Sequence, residues 1–252
     1  MNFDPSSSSH WHRLLSNVEE SGYAHVFAVL LAQQYRHNEN QAGEAWHTAD
    51  HNWLRYMRVE LYELMEHYNS YKHWKAHKPD LAQARIELVD ALIFAMSHAI
   101  KTGDVWAFCQ RLGNYLAEAE AENKVDRHLR SEQQLAEDIN ITLEQVVSVS
   151  FRGVLDLDNL ARLIVLLGLD AERFELLYQV KMALNHLRTE NGYKQGHYIK
   201  TWFGVEDNEY VQEKVVDNAE MRLALAEVPD LQEALREVLH VFYDRVQEDA
   251  AQ

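Results

Sequence analysis

Between Pro79 and Pro229 the chain contains no proline, and Pro5 is the only other one in 252 residues. Glycine is also scarce, at nine in the whole sequence. Proline and glycine are the residues that most readily interrupt regular structure, so so long a stretch without proline favours long helices over a turn-rich β protein. An apolar fraction of 47% suffices for an ordinary globular core. The sequence therefore reads as one all-α domain, a helical bundle over residues 16–252. A flexible tail is expected over residues 1–15, where "MNFDPSSSSHWH" has no apolar signal core.

Helices are expected at about 16–36, 52–68 and 79–100. Pro79 and Asp80 open the third in its first turn and Gly103 caps its end. More follow at 104–123, 127–139, 142–150, 156–168, 170–190, 209–226 and 230–248. In "ITLEQ", Thr142 with Gln145 reads as a capping box that starts a helix.

Charge excludes some partners. With 24 Lys and Arg against 40 Asp and Glu, the net charge is −16. This argues against a nucleic-acid surface or an anionic membrane. The apolar runs at 26–32 and 163–169 are too short to span a bilayer. The lone cysteine, Cys109, excludes an internal disulfide framework and fits a reduced, cytoplasmic setting.

Chemistry is written into two carboxylate pairs. "VELYELMEH" carries Glu60 and Glu63; "IELVDAL" carries Glu87 and Asp90. Spacing of i, i+3 puts each pair on one helix face, one turn apart. Their apolar neighbours direct both pairs toward packed sides. Four such carboxylates on facing helices require a cation among them. Oxygen-only ligands select a hard ion, Mg²⁺ or Mn²⁺, which also takes phosphate oxygens. A di-iron site would need Glu-x-x-His pairs, for which only Glu44/His47 offers itself. His47/His51 and His73/His77 have zinc-compatible spacing, which a chain with 14 histidines also produces by coincidence.

A second unusual stretch is "GYKQGHYIKTWFG" at 192–204, followed by "VEDNEY". It breaks the helical pattern with Gly192, Gly196 and Gly204, and it brings Lys194 and Lys200 into an acidic chain. Glycines there would let backbone approach phosphate without a Cβ in the way.

Together these segments resemble the all-α nucleoside triphosphate pyrophosphatase superfamily, and within it the dimeric dUTPase branch. E-x-x-E followed about two dozen residues later by E-x-x-D is the superfamily pattern. "YKHWK" at 71–75, "PDLAQARIELVD" at 79–90 and the 192–208 stretch are similar to the dUTPase branch. The resemblance covers roughly residues 25–215. Tyr71 stands where the branch often has Trp, and Ile93 where it often has His.

The resemblance implies Mg²⁺-dependent hydrolysis of dUTP, and of dUDP as well, to dUMP and pyrophosphate by a homodimer. It implies that Glu60, Glu63, Glu87 and Asp90 hold the metal, with Glu63 also orienting or deprotonating the attacking water. Lys194, Lys200, Tyr198, Arg188, Asn208 and Lys75 would contact phosphate, the loop closing over it. Gln34 and Asn38 would read the uracil edge, with Trp53 and Trp74 walling the pocket. Two alternatives stay open: a related pyrophosphatase for another nucleotide such as dCTP, and a helical interaction protein without catalysis.

Overall fold

The computed structural model describes residues 3–18, 22–68, 79–123 and 131–250. Nearly all regular structure there is helix, as the all-α reading expects. The chain divides into two compact units, Met1–Ala171 and Glu172–Gln252.

The first unit contains α1 (Ser8–Asn17), α2 (Tyr23–Ala42), α3 (Trp53–Tyr68), α4 (Leu81–Thr102), α5 (Val105–Asn123), α6 (Glu132–Ser150) and α7 (Leu157–Leu166). Helix α3 buries Leu54, Met57, Leu61, Leu64 and Tyr68 at steps of three and four, the signature of one apolar stripe. Each such side chain contributes about 2 kcal/mol of transfer free energy. Helix α4 is buried on nearly every side from Ala84 to Ile100, so it forms the centre of the unit. Asp80 caps it by accepting from the Gln83 N–H, and Gly103 ends it in a left-handed conformation at φ 81°. Pro79 thus precedes the cap rather than occupying the first turn.

Helices α3 and α4 pack as an antiparallel pair. The Asp80 N–H donates to the His67 carbonyl at 3.0 Å at one end. At the other, the Lys101 ammonium donates to the Ala49 and His51 carbonyls at 2.7 and 3.2 Å. Helix α2 packs on α4 and α5, and α7 on α5 and α6. Gly113 of α5 lets the α2 backbone come close: a Cβ there would lie 2.6 Å from the Ala24 nitrogen.

Several boundaries differ from the sequence reading. The N-terminal stretch carries helix α1, anchored by aromatic contacts that a serine-rich composition hides. The Trp11 indole donates to the Pro5 carbonyl at 2.8 Å, and its ring lies 5.5 Å from that of Tyr35. The first long helix begins at Tyr23, not near Ser16. The helices expected at 127–139 and 142–150 are a single helix over Glu132–Ser150. Its capping box belongs to Ser131 and Gln134. Thr142 is buried in mid-helix and donates back to the Asp138 carbonyl at 2.6 Å, an alternative use of a hydroxyl that imitates a cap in sequence.

The second unit comprises α8 (Ala171–Glu190), a short hairpin of β1 (Thr201–Trp202) and β2 (Val205–Glu206), α9 (Asp207–Val211), α10 (Ala219–Ala226) and α11 (Leu231–Ala250). The helix expected at 209–226 is broken: α9 passes into a π turn at Gln212–Val216, and Asn218 caps α10 anew by accepting from Met221.

Candidate functional site

The antiparallel packing of α3 and α4 brings their acidic residues together. Glu60, Glu63 and Glu87 each place a carboxylate oxygen within 4.8 Å of the others. Glu87 is buried at 7% exposure because its helix is surrounded, whereas Glu63 is exposed. Asp90 sits one turn along α4 from Glu87, half-buried, and is not one of the converging three. Like charges this close repel unless a cation intervenes. Three oxygen donors, one of them buried, suit a hard divalent ion.

His67 was not singled out by the sequence reading. Its Nε2 lies 3.6 Å from Glu87 Oε1. The signal was present, since His67 follows Glu63 by four residues and so shares its face.

Helix α4 continues the site. Phe94 and Ser97 extend the stripe that begins with Glu87 and Asp90. Phe94 stacks against Trp53 at 6.2 Å between centroids and 25° between planes. Trp53 is half-buried, and its indole N–H meets no acceptor among the described residues. Gln34 and Asn38 are both buried on α2. The Gln34 amide donates to Asn38 Oδ1 at 2.9 Å, Asn38 donates to Ser97 Oγ at 2.9 Å, and Ser97 donates to the Ile93 carbonyl at 2.9 Å. The family resemblance pairs Gln34 with Asn38; only the packing of α2 on α4 identifies Ser97 as the third member. Trp74 and Lys75 lie outside the described residues, as does the rest of 71–75.

In the second unit, the stretch after α8 is organised by Asp207, an acid to which the sequence alone assigns no role. Asp207 is fully buried. The Arg188 guanidinium grips it with both arms, Nε to Oδ2 at 2.8 Å and Nη2 to Oδ1 at 2.7 Å. Tyr198 donates its hydroxyl to Oδ2 at 2.9 Å, and the Asn208 N–H donates to Oδ1 at 2.8 Å. Arg188 also donates to Asn208 Oδ1 at 3.1 Å, and buried Lys181 donates to the same oxygen at 3.4 Å. The fork expected to reach phosphate is thus seated on a carboxylate. Burial and the Asp207 charge hold the Tyr198 hydroxyl well above the ordinary phenol range, so it is a donor at neutral pH.

Lys194 and Lys200 remain exposed. Lys200 pairs with Glu206 at 3.0 Å, and that hydrogen bond raises its pKa. The glycines answer first to backbone geometry. Gly192, Gly196 and Gly204 have φ of 74°, 75° and 93°. Phe203, at φ 49°, is the one non-glycine with positive φ among the described residues. With Gly204 it closes the β1–β2 hairpin with positive φ at both central residues, the signs of a type I′ turn.

The family model described as dUTPase matches residues 27–193. The match spans Gln34, Asn38, both carboxylate pairs and Arg188, and ends before Lys194. The comparison with curated proteins returned no match.

Proposed function

The chain belongs to the dUTPase family of nucleotide diphosphatases, and on that premise we propose that it hydrolyses dUTP, and dUDP, with Mg²⁺, giving dUMP and, from dUTP, pyrophosphate. The observation that carries this reading is the meeting of Glu60, Glu63 and Glu87 within 4.8 Å. Members of the family generally use a divalent metal, and this donor set suits one.

Glu60, Glu63, Glu87 and Asp90 would hold the ion, which when bound neutralises phosphate charge and acidifies a coordinated water. Glu63 is the most exposed of the three converging carboxylates, which suits it to accept the proton of the attacking water. His67 positions Glu87 through their 3.6 Å contact. The Gln34–Asn38–Ser97 chain fixes amide orientation. An amide presents both a donor and an acceptor, as recognition of a uracil edge requires. Trp53 stacked on Phe94 supplies an aromatic wall. Lys194 and Lys200 are the phosphate contacts, with Arg188, Tyr198 and Asn208 holding the shape of the stretch that carries them. The working assembly is a homodimer.

The test is pyrophosphate release from dUTP with Mg²⁺, for wild type and Glu63→Gln. Loss of a general base costs about 10²–10⁴ in turnover, while nucleotide affinity should change little. Chelation should abolish activity and Mg²⁺ restore it. Faster turnover of dCTP than dUTP would refute the substrate assignment. A wild-type rate in Glu63→Gln would refute the assignment of the base.

A further inference from the structure

We propose that His186, Glu190 and His240 form a second cation site, of a different chemical class, which takes a borderline transition-metal ion such as Zn²⁺ and joins α8 to α11. His186 and Glu190 share the last turns of α8 at i, i+4 spacing, with Nε2 2.9 Å from Oε1. His240 reaches the same carboxylate from α11, its Nε2 3.4 Å from Oε2. One carboxylate therefore receives two imidazoles from two helices.

Their side chains are 40%, 45% and 48% exposed for His186, Glu190 and His240, so an ion arrives directly from solvent. They line an open depression of about 590 Å³, together with Glu233, Arg236 and Glu237. Glu237 lies one turn before His240 and offers a fourth oxygen donor on the same helix. Arg236 is the cation in the wall, and its guanidinium lies 3.8 Å from Glu233, which partly offsets it.

Two imidazole nitrogens with a carboxylate oxygen suit zinc, not magnesium. Donors bonded at about 2.1 Å to a tetrahedral ion stand roughly 3.4 Å apart. The two nitrogen–oxygen separations, 2.9 and 3.4 Å, run to the two different oxygens of Glu190, one imidazole to each. Among the described residues only Glu60, Glu63 and Glu87 have ligand atoms all mutually within 4.8 Å. The imidazoles must therefore rotate toward each other as the ion enters, a movement open to exposed side chains. Each imidazole now addresses Glu190 through Nε2. On binding, its proton resides on Nδ1 and the Nε2 lone pair goes to the ion, so neutral imidazole releases no proton. Glu190 ends α8 two residues before Gly192, so the ion would fasten the base of the 192–208 stretch to α11.

The test uses the full chain, stripped by chelation and held in excess Mg²⁺ to occupy the all-oxygen cluster. It is titrated with Zn²⁺ by calorimetry and with Co²⁺ by visible absorbance. We expect one tight equivalent of Zn²⁺ and a Co²⁺ band from imidazole coordination. Both should be lost in the His186→Ala/His240→Ala double variant and kept in His47→Ala/His51→Ala. Zn²⁺ should raise the unfolding temperature of wild type and leave that of the first double variant unchanged. Circular dichroism checks the fold, and His186→Asn and His240→Asn singly must each weaken binding should the double variant not fold. The same isotherm in wild type and the His186/His240 variants, or no Zn²⁺ binding by folded wild type, overturns the proposal. No nucleotide enters the assay, so the outcome is independent of the dUTP reading.

Discussion

Replacing Asp207 by asparagine keeps the shape of the side chain and removes its charge. In the wild type that charge is gripped by Arg188 at 2.7 and 2.8 Å and by the Tyr198 hydroxyl at 2.9 Å. The Arg188 side chain is only 12% exposed and that of Asp207 0%. Removing one partner of a buried pair leaves the other uncompensated, at about 3–5 kcal/mol. Asparagine retains one carbonyl oxygen, so the lower end applies, about 3 kcal/mol. For a chain of this size that corresponds to a fall of roughly 6–12 °C in unfolding midpoint. Thermal unfolding by circular dichroism measures it, and hydrogen exchange over residues 188–208 shows whether the loss begins there. A cycle with Arg188→Gln isolates the pair. The double variant should be less destabilised than the sum of the singles by about 2 kcal/mol. An unchanged midpoint in Asp207→Asn, or zero coupling in the cycle, would refute the view that this carboxylate organises the stretch.

Two further outcomes concern the core. Burial pushes the Cys109 thiol up to about 12, from 9.0 when unfolded, so the native state holds its proton where the unfolded state releases it. Stability from this group is complete below pH 9 and falls between pH 9 and 12, by roughly 4 kcal/mol in all. Urea unfolding at stepped pH should show the fall, and Cys109→Ala should lack this share of it; the native thiol should also resist alkylation at pH 8. Gly113→Ala forces a methyl to within 2.6 Å of the Ala24 backbone, and overpacking of this kind costs about 1–3 kcal/mol. A wild-type midpoint in that variant would contradict the close approach of α5 to α2.

Legibility in the sequence followed the range of the interaction. Helix type was readable because the apolar period is local: Leu54, Met57, Leu61 and Leu64 announce the stripe of α3 within one segment. Caps were less secure, since the same hydroxyl pattern arises at a true start and in mid-helix. Ser131 caps a helix while Thr142, with the same spacing to a glutamine, bonds back to Asp138. Composition marks residues 1–15 as a tail, while helix α1 and its aromatic contact to Tyr35 have no local mark in the sequence.

The sequence by itself determined the helical class, the pairing of carboxylates on two helix faces, the glycines of the 192–204 stretch and the family resemblance, because each depends on spacing along one segment. Only the tertiary structure decided which groups meet. Glu87 converges with Glu60 and Glu63 while Asp90 stands a turn away, since the antiparallel seating of α4 on α3 sets that register. Ser97 joins Gln34 and Asn38 through the packing of α2 on α4. Asp207, one acid among 40 in the composition, becomes the hub of its unit because burial removes it from water and leaves Arg188 and Tyr198 as its partners.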